Sequence, residues 1–342
     1  MRGGMKTLVC SQPRKLEYRS ESIPKPAENH ALIRIKRIGI CGTDLHAFEG
    51  TQPYFEYPRI LGHELAGELI AVDGAPGFEI GEAVTFIPYF SCGKCIACRS
   101  GKQNACANIK VCGVHHHGGM VEYLSVPSPS LIHGESLSLD ALALVEPLAI
   151  GAHAVRRAGI TKDDFVLVVG AGPIGLGTIE FARAAGGKVI ALDTNDARLR
   201  FCKEALKVEH IVNAMDGDVI EHLKSITNGD MPTVVMDATG NLNAINNAFH
   251  YMSHGARYVL IGLQKGEICF SHPEFHKREA TLMSSRNATR ADFEYVISLI
   301  KRKEIDPTVF ITHRVRFDQV KDEFNGWLNP ASGVIKAMVE IA

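Results

Sequence analysis

The stretch DDFVLVVGAGPIGLGTIEFARAAGGKVIALD, residues 163–193, constrains the fold more than any other part of the chain. An apolar run, FVLVV, meets Gly170, Gly172 and Gly175 in a G-x-G-x-x-G turn. A helical pattern opened by Pro173 and Ile174 follows, then a second apolar run that ends at Asp193, eighteen residues past Gly175. Proline is favoured in the first helical turn. Strand, glycine turn, helix and strand in this order are what the dinucleotide fingerprint requires. The glycines let the backbone approach a pyrophosphate, and the helix N-terminus favours its charge. Asp193 can take both ribose hydroxyls of NAD and would repel the 2′-phosphate of NADP. Arg198, one helical turn further on, is the residue that weighs against that preference.

The rhythm continues downstream. TVVMDATGN and ARYVLIGLQKG are further apolar runs ending at turn residues, among them Thr239 and Gly262, which complete the candidate cofactor contacts. Helical patterns lie near 197–207, 216–227 and 241–253. Alternating strands and helices predict a doubly wound parallel sheet.

The first 150 residues read differently. HALIRIKRIGICG, ELAGELIAVDG, GEAVTFIPY and GMVEYLSVP are short runs bounded by Gly and Pro, which predict a barrel-like β domain. Inside it, CGKCIACRSGKQNAC places Cys92, Cys95, Cys98 and Cys106 within fifteen residues. Two-residue gaps let a chain wrap four thiolates around zinc at about 2.3 Å, a closed site with no position for substrate. An iron–sulfur cluster also uses four cysteines, so the count alone leaves it open. Either way the cluster reads as a staple, and the chemistry belongs elsewhere.

A second constellation supplies it. GICGTDLH carries Cys41, Thr43, Asp44 and His46; LGHE carries His63 and Glu64; VEPLAIGAHAV carries Glu146. Cysteine, histidine and carboxylate are ligands zinc accepts, and three of them leave a fourth position open. A metal there can activate an alcohol by lowering its pKa, as zinc does for water.

Together GICGTDLH, LGHE, the cysteine lobe, EPLAIGAHAV, GAGPIG, DATG and THR span essentially the whole chain and resemble the zinc-dependent medium-chain alcohol/polyol dehydrogenases. The resemblance implies an α/β protein: a GroES-like catalytic domain over 1–150 with a structural-zinc lobe at 91–107, a Rossmann NAD-binding domain over 151–285, and a segment 286–342 returning to the catalytic domain. It implies a catalytic zinc on Cys41 and His63, with Glu64 or Glu146 as the carboxylate ligand, and a structural zinc on the four cysteines. It further implies a proton path through Thr43 and the cofactor ribose to His46, imidazole being suited to proton transfer near neutral pH. Asp44 is expected either to orient a ligand by hydrogen bond or to act as a turn residue.

Glu146 stands where the two-cysteine alcohol dehydrogenases carry their second thiolate ligand. This favours polyol, threonine or sugar-acid substrates over simple alcohols. GTQPYFEYPRILGHE, GVHHHGGMVEYLSVP and FSHPEFHKREATLMSSRNATRADF resemble the sugar-acid branch of the family. Candidate substrate contacts are Phe48, Glu49, His115, His116, His117 and Arg286, an arginine fork suiting a carboxylate or vicinal hydroxyls. Phe48, Tyr54 and Phe55 could wall a pocket or serve as plain core. Threonine, sorbitol and galactitol-phosphate dehydrogenation remain alternatives, as does a non-enzymatic structural role.

A net charge of −1 gives no case for nucleic acid or an anionic membrane as partner. No apolar run is long enough for a membrane span. The start, MRGGMKTLVC, lacks a signal-peptide core, and Met5 is an alternative first residue to Met1. Nine cysteines, an odd number with one tight cluster, fit a reducing cytoplasm. The resemblance implies a homodimer or homotetramer, and pairing across a twofold axis is one of the fates open to the strand GARYVLIGL.

Overall fold

The computed structural model describes residues 4–53 and 55–342. The chain divides into two units: the residues up to Pro147 together with Thr289–Ala342, and Leu148–Ala288. The first division falls inside one continuous helix, Val145–Ala158.

The first unit is built on His30–Gly39, whose apolar residues fill one core with Leu65, Leu69 and Val84. This strand pairs antiparallel with Glu64–Val72 along its length. On its other side it meets Tyr123–Pro127 with its first half and Lys336–Glu340 with its last residues. The C-terminal segment therefore enters the sheet beside the end of His30–Gly39. The register pairs Gly39 with Glu64. Cys41 follows the first of these strands and His63 precedes the second, so antiparallel pairing alone brings the two turns together. A separate ribbon, Tyr89–Phe90 against Lys110–Val111, closes the base of the cysteine lobe.

The second unit is a six-stranded parallel sheet. Its order is His210–Asn213, Lys188–Asp193, Phe165–Val169, Val234–Asp237, Arg257–Leu260, Thr281–Ser284. Helices Pro173–Ala184, Asp196–Glu204, Val219–Ile226 and Leu242–Ala248 fall within the predicted helical stretches or close to them. The chain reverses strand order on either side of Phe165–Val169, where doubly wound sheets bind ligands at strand C-termini.

The strand offered for twofold pairing does not lie at an edge. The strand in GARYVLIGL is internal, paired on both sides in parallel register. On that side of the sheet the outer strand is Thr281–Ser284, where the exposed Leu282 lies; His210–Asn213 is the other edge. The short, mostly exposed run TLMS carries no strong strand pattern, so the sequence hid this edge. No helix among the described residues is long and apolar enough to cross a membrane.

Candidate functional site

Cys41 caps the helix Gly42–Glu49, and its backbone N–H donates to Asp44 Oδ2 at 3.0 Å. The other oxygen of Asp44 accepts from Gly62 N–H at 2.9 Å. Asp44, 1% exposed, thus ties the Cys41 turn to the turn preceding His63. Of the two alternatives the sequence left, these backbone bonds make it the turn residue; its Oδ1 lies 3.8 Å from His63 Nδ1, beyond hydrogen-bond reach.

Ligand atoms of Cys41, His63 and Glu64 lie within 4.8 Å of one another. His63 Nδ1 is buried with no hydrogen-bond partner among the described residues. Glu146 is outside this trio but close enough for the charges of His63, Glu64 and Lys336 to act on it. Burial pushes its carboxyl up to about 7, and its Oε1 accepts the Tyr89 hydroxyl. Burial also raises Asp44. Burial alone would lower His63, but the Cys41 thiolate and Asp44 outweigh it and hold the imidazole well above its ordinary value. Burial and Glu146 together push the Tyr89 phenol well up, keeping it a donor. Three buried carboxyls, a thiol and an orphaned imidazole nitrogen form a donor set that fits a divalent cation of the zinc type.

Sequence reasoning missed Lys336. Its Nζ lies 2.7 and 2.6 Å from the two Glu64 oxygens and 3.1 Å from Ile40 O, at 3% exposure. Burial would lower the ammonium, but Glu64 and Cys41 hold it above its ordinary value. A lysine inside the apolar run VIKAMV was the available signal. Gly39 was missed as well. A Cβ there would stand 2.3 Å from Glu64 Oε2, so only glycine leaves room for this carboxylate. Gly39→Ala is expected to displace Glu64 and weaken metal binding about 10–100-fold, measured by chelator competition. Unchanged affinity would remove Glu64 from the ligand set.

The four cysteines also converge. Sγ–Sγ separations are 3.5 Å for Cys95–Cys98 and Cys92–Cys106 and 3.8 Å for Cys95–Cys106, with none in a disulfide. A tetrahedron of bonds about 2.3 Å long has edges of about 3.8 Å. Backbone N–H groups of Lys94 and Cys95 aimed at Cys92 bring its thiol down to about 6, and burial takes Cys98 up to about 11. The set fits one closed metal site.

In the second unit, Gly170 sits at φ +97°, and a Cβ on Gly175 would strike Gly170 O at 1.8 Å. Over Gly172 the space is open, the nearest atom being Arg198 Nη1 at 3.9 Å from a Cβ position. That is a cradle a pyrophosphate fits. Both Asp193 oxygens accept backbone N–H groups, from Ala171 at 2.6 Å and Asn195 at 2.9 Å. Thr239 donates its hydroxyl to the buried Asp237 at 2.8 Å, and Gly262 packs against Gly240 with no room for a side chain. Pro173 and Ile174 form the first helical turn.

The candidate substrate contacts divide. Thr43 is half-buried, and the exposed His46 places Nδ1 3.3 Å from the Thr51 hydroxyl. Glu49 faces Arg14 at 3.5 Å and accepts from Thr51. His115 and His117 each accept a backbone N–H at Nδ1, from Val111 and Ile60, and His116 is exposed near Phe90. Their loop is laced to the metal-site turn by Gly118 N–H to Ile60 O and Gly119 N–H to Gly62 O. Phe48 is a correction: at 4% exposure it packs edge-on against Phe324 in the core and is not free to wall a pocket. Phe55 packs on Tyr57. Tyr54 lies outside the described residues. Arg286 is exposed in the loop after Thr281–Ser284, in the second unit.

Residues 27–136 match the alcohol dehydrogenase GroES-like domain family, and residues 173–302 match the zinc-binding dehydrogenase family. The chain is 44% identical to L-galactonate-5-dehydrogenase of Escherichia coli K12 over 94% of each chain. The alcohol dehydrogenase RspB of Escherichia coli CFT073, solved with NADH, superposes with TM-score 0.92 at 30% identity, covering 99% of this chain and 100% of that one. A protein of Sinorhizobium meliloti 1021, solved with NADP, superposes with TM-score 0.91 at 27% identity, covering 99% and 100%.

Proposed function

The chain belongs to the zinc-binding alcohol dehydrogenases with a GroES-like domain, and from that premise we propose that it oxidises a secondary hydroxyl of a six-carbon sugar acid, L-galactonate, to a keto acid with NAD. The observation that carries this reading is the meeting of Cys41, His63 and Glu64 beside a second buried carboxylate, Glu146, where simple-alcohol enzymes place a thiolate. The 44% identity to L-galactonate-5-dehydrogenase supports the substrate.

Cys41, His63 and Glu64 would hold the catalytic zinc, and Cys92, Cys95, Cys98 and Cys106 a structural one. When bound, the catalytic ion supplies Lewis acidity that favours the alkoxide form of an alcohol. The protein does the rest. Asp44 holds the two ligand turns in register, and Lys336 offsets the charge of Glu64. Thr43 and His46, three apart on one helix, share a face and form the outward proton path, His46 ending at the surface. Each Asp193 oxygen retains a lone pair for a ribose hydroxyl, and its charge opposes a 2′-phosphate. Arg198, whose Nη1 lies 3.9 Å from a Cβ position on Gly172, would suit the pyrophosphate, a placement that supports NAD.

Initial rates of NADH formation test the reading. L-galactonate is expected to exceed L-threonine and sorbitol in kcat/KM by about tenfold or more, and NAD to exceed NADP likewise. Faster turnover of threonine or sorbitol would reassign the substrate. No turnover of any sugar acid, polyol or hydroxy-amino acid would leave the structural alternative standing.

A further inference from the structure

Tyr89 belongs to two structures at once. Its ring packs against Cys98, Cys106 and Ile109, the small core of the cysteine lobe. Its hydroxyl donates to Oε1 of Glu146, 57 residues away, beside the metal trio. The backbone fixes both ends of this link. Tyr89 pairs with Val111 and Phe90 with Lys110 in the ribbon that closes the lobe, so the strand leading into Cys92 and the strand leaving Cys106 are joined at Tyr89. On its remaining side the ring meets Phe293 edge-on at 6.5 Å. Glu146 lies at the start of the helix Val145–Ala158.

The two carboxylates are held in different ways. Both oxygens of Glu64 are taken by Lys336. Glu146 gives one oxygen to Tyr89. A carboxylate accepts about four hydrogen bonds, so Glu146 keeps an oxygen to offer to the metal centre while its rotamer is fixed by the first.

We propose that Tyr89 is a positioning residue for Glu146, and that through it the four-cysteine lobe sets the geometry of the catalytic centre. The lobe is then part of the active machinery as well as a staple. This rests on the metal-site reading above and goes beyond it, since neither Tyr89 nor the lobe supplies a ligand to that site. The physical logic is that of outer-shell partners: a hydrogen-bonded neighbour fixes the orientation of the group nearest the ion, and its loss costs about 10–100-fold in activity or metal affinity.

The test uses the full-length enzyme with cobalt(II) in place of the catalytic ion, whose visible absorption reports coordination directly. Tyr89→Phe keeps the ring on the lobe and removes only the hydroxyl. It is expected to shift the cobalt bands, to lower kcat about 10–100-fold, and to leave KM for NAD unchanged. Glu146→Gln is expected to do the same, and the double variant to be no worse than Glu146→Gln alone, because residues acting through one another are non-additive. Ile109→Ala loosens the lobe beneath the ring. It should move the cobalt bands in the wild-type background and not in the Tyr89→Phe background. Unchanged bands in Tyr89→Phe, or losses that multiply in the double variant, would overturn the proposal while leaving the metal site intact. Failure of wild type to give a cobalt spectrum sensitive to Cys41→Ser would instead remove the reading on which it stands.

Discussion

Lys336→Met is expected to destabilise the metal-free protein by about 3–5 kcal/mol, the cost of leaving a buried charge without its partner. The pair is deep: side-chain exposure is 3% for Lys336 and 1% for Glu64. All three ammonium protons have an acceptor, two on Glu64 and one on Ile40 O. Methionine would leave a carboxylate and a carbonyl desolvated with nothing donated to them. Adding Glu64→Met should restore most of the loss, because removing both charges also removes the desolvation penalty. In the metal-loaded protein the single substitution should cost less, a divalent ion at Cys41 and His63 supplying the missing positive charge. Trp327 makes the measurement selective. It is the sole tryptophan of the chain, and it is buried in the same core as the strand carrying Glu64. Urea unfolding followed by its fluorescence reports that unit without contribution from Leu148–Ala288. A loss under about 1 kcal/mol in the metal-free form would mean that the ion pair is not formed in solution.

The contrast between Lys336 and Cys41 shows what a sequence of this kind discloses. Cys41, His63 and Glu64 were legible because each sits in a local motif at a strand end, and antiparallel pairing of two neighbouring strands joins them. The parallel sheet was legible because its inner strands are uninterrupted apolar runs between glycine turns. Lys336 was not, since its partner lies 272 residues away and no periodicity reaches that far. The same holds for Tyr89 and Glu146. Phe48 looked available because it neighbours His46 and Glu49 in sequence. On a helix each residue turns by about 100°, so two positions on from the exposed His46 the side chain of Phe48 points to the opposite face, here into the core. Thr281–Ser284 escaped notice for the opposite reason, an edge strand too short and too exposed to announce itself. The meeting of Cys41, His63 and Glu64 was therefore local information, while the different partners of Glu64 and Glu146 were tertiary.

Cys41→Ser separates the chemistry from the fold. Cysteine is a poor helix cap and serine among the best, so the substitution at the N-cap of Gly42–Glu49 should preserve or improve the local structure. The Asp44 bonds to the Cys41 and Gly62 backbone do not involve the side chain and should persist. What disappears is the thiolate. A hydroxyl does not ionise near neutral pH as a metal-facing thiol does, and the grip on a zinc-type ion falls to one imidazole and one carboxylate already engaged by Lys336. Lewis-acid activation contributes several kcal/mol, and roughly 4 kcal/mol corresponds to about a thousandfold in rate. Turnover is therefore expected to fall at least about a thousandfold. Metal content should drop by about one ion per chain while the cysteine-lobe ion stays. Circular dichroism and the Trp327 signal should match wild type. Cys95→Ser is the reciprocal case, losing the other ion. Near-normal turnover in a Cys41→Ser protein shown by elemental analysis to lack one ion would place the chemistry somewhere other than the turn that joins Cys41 to His63.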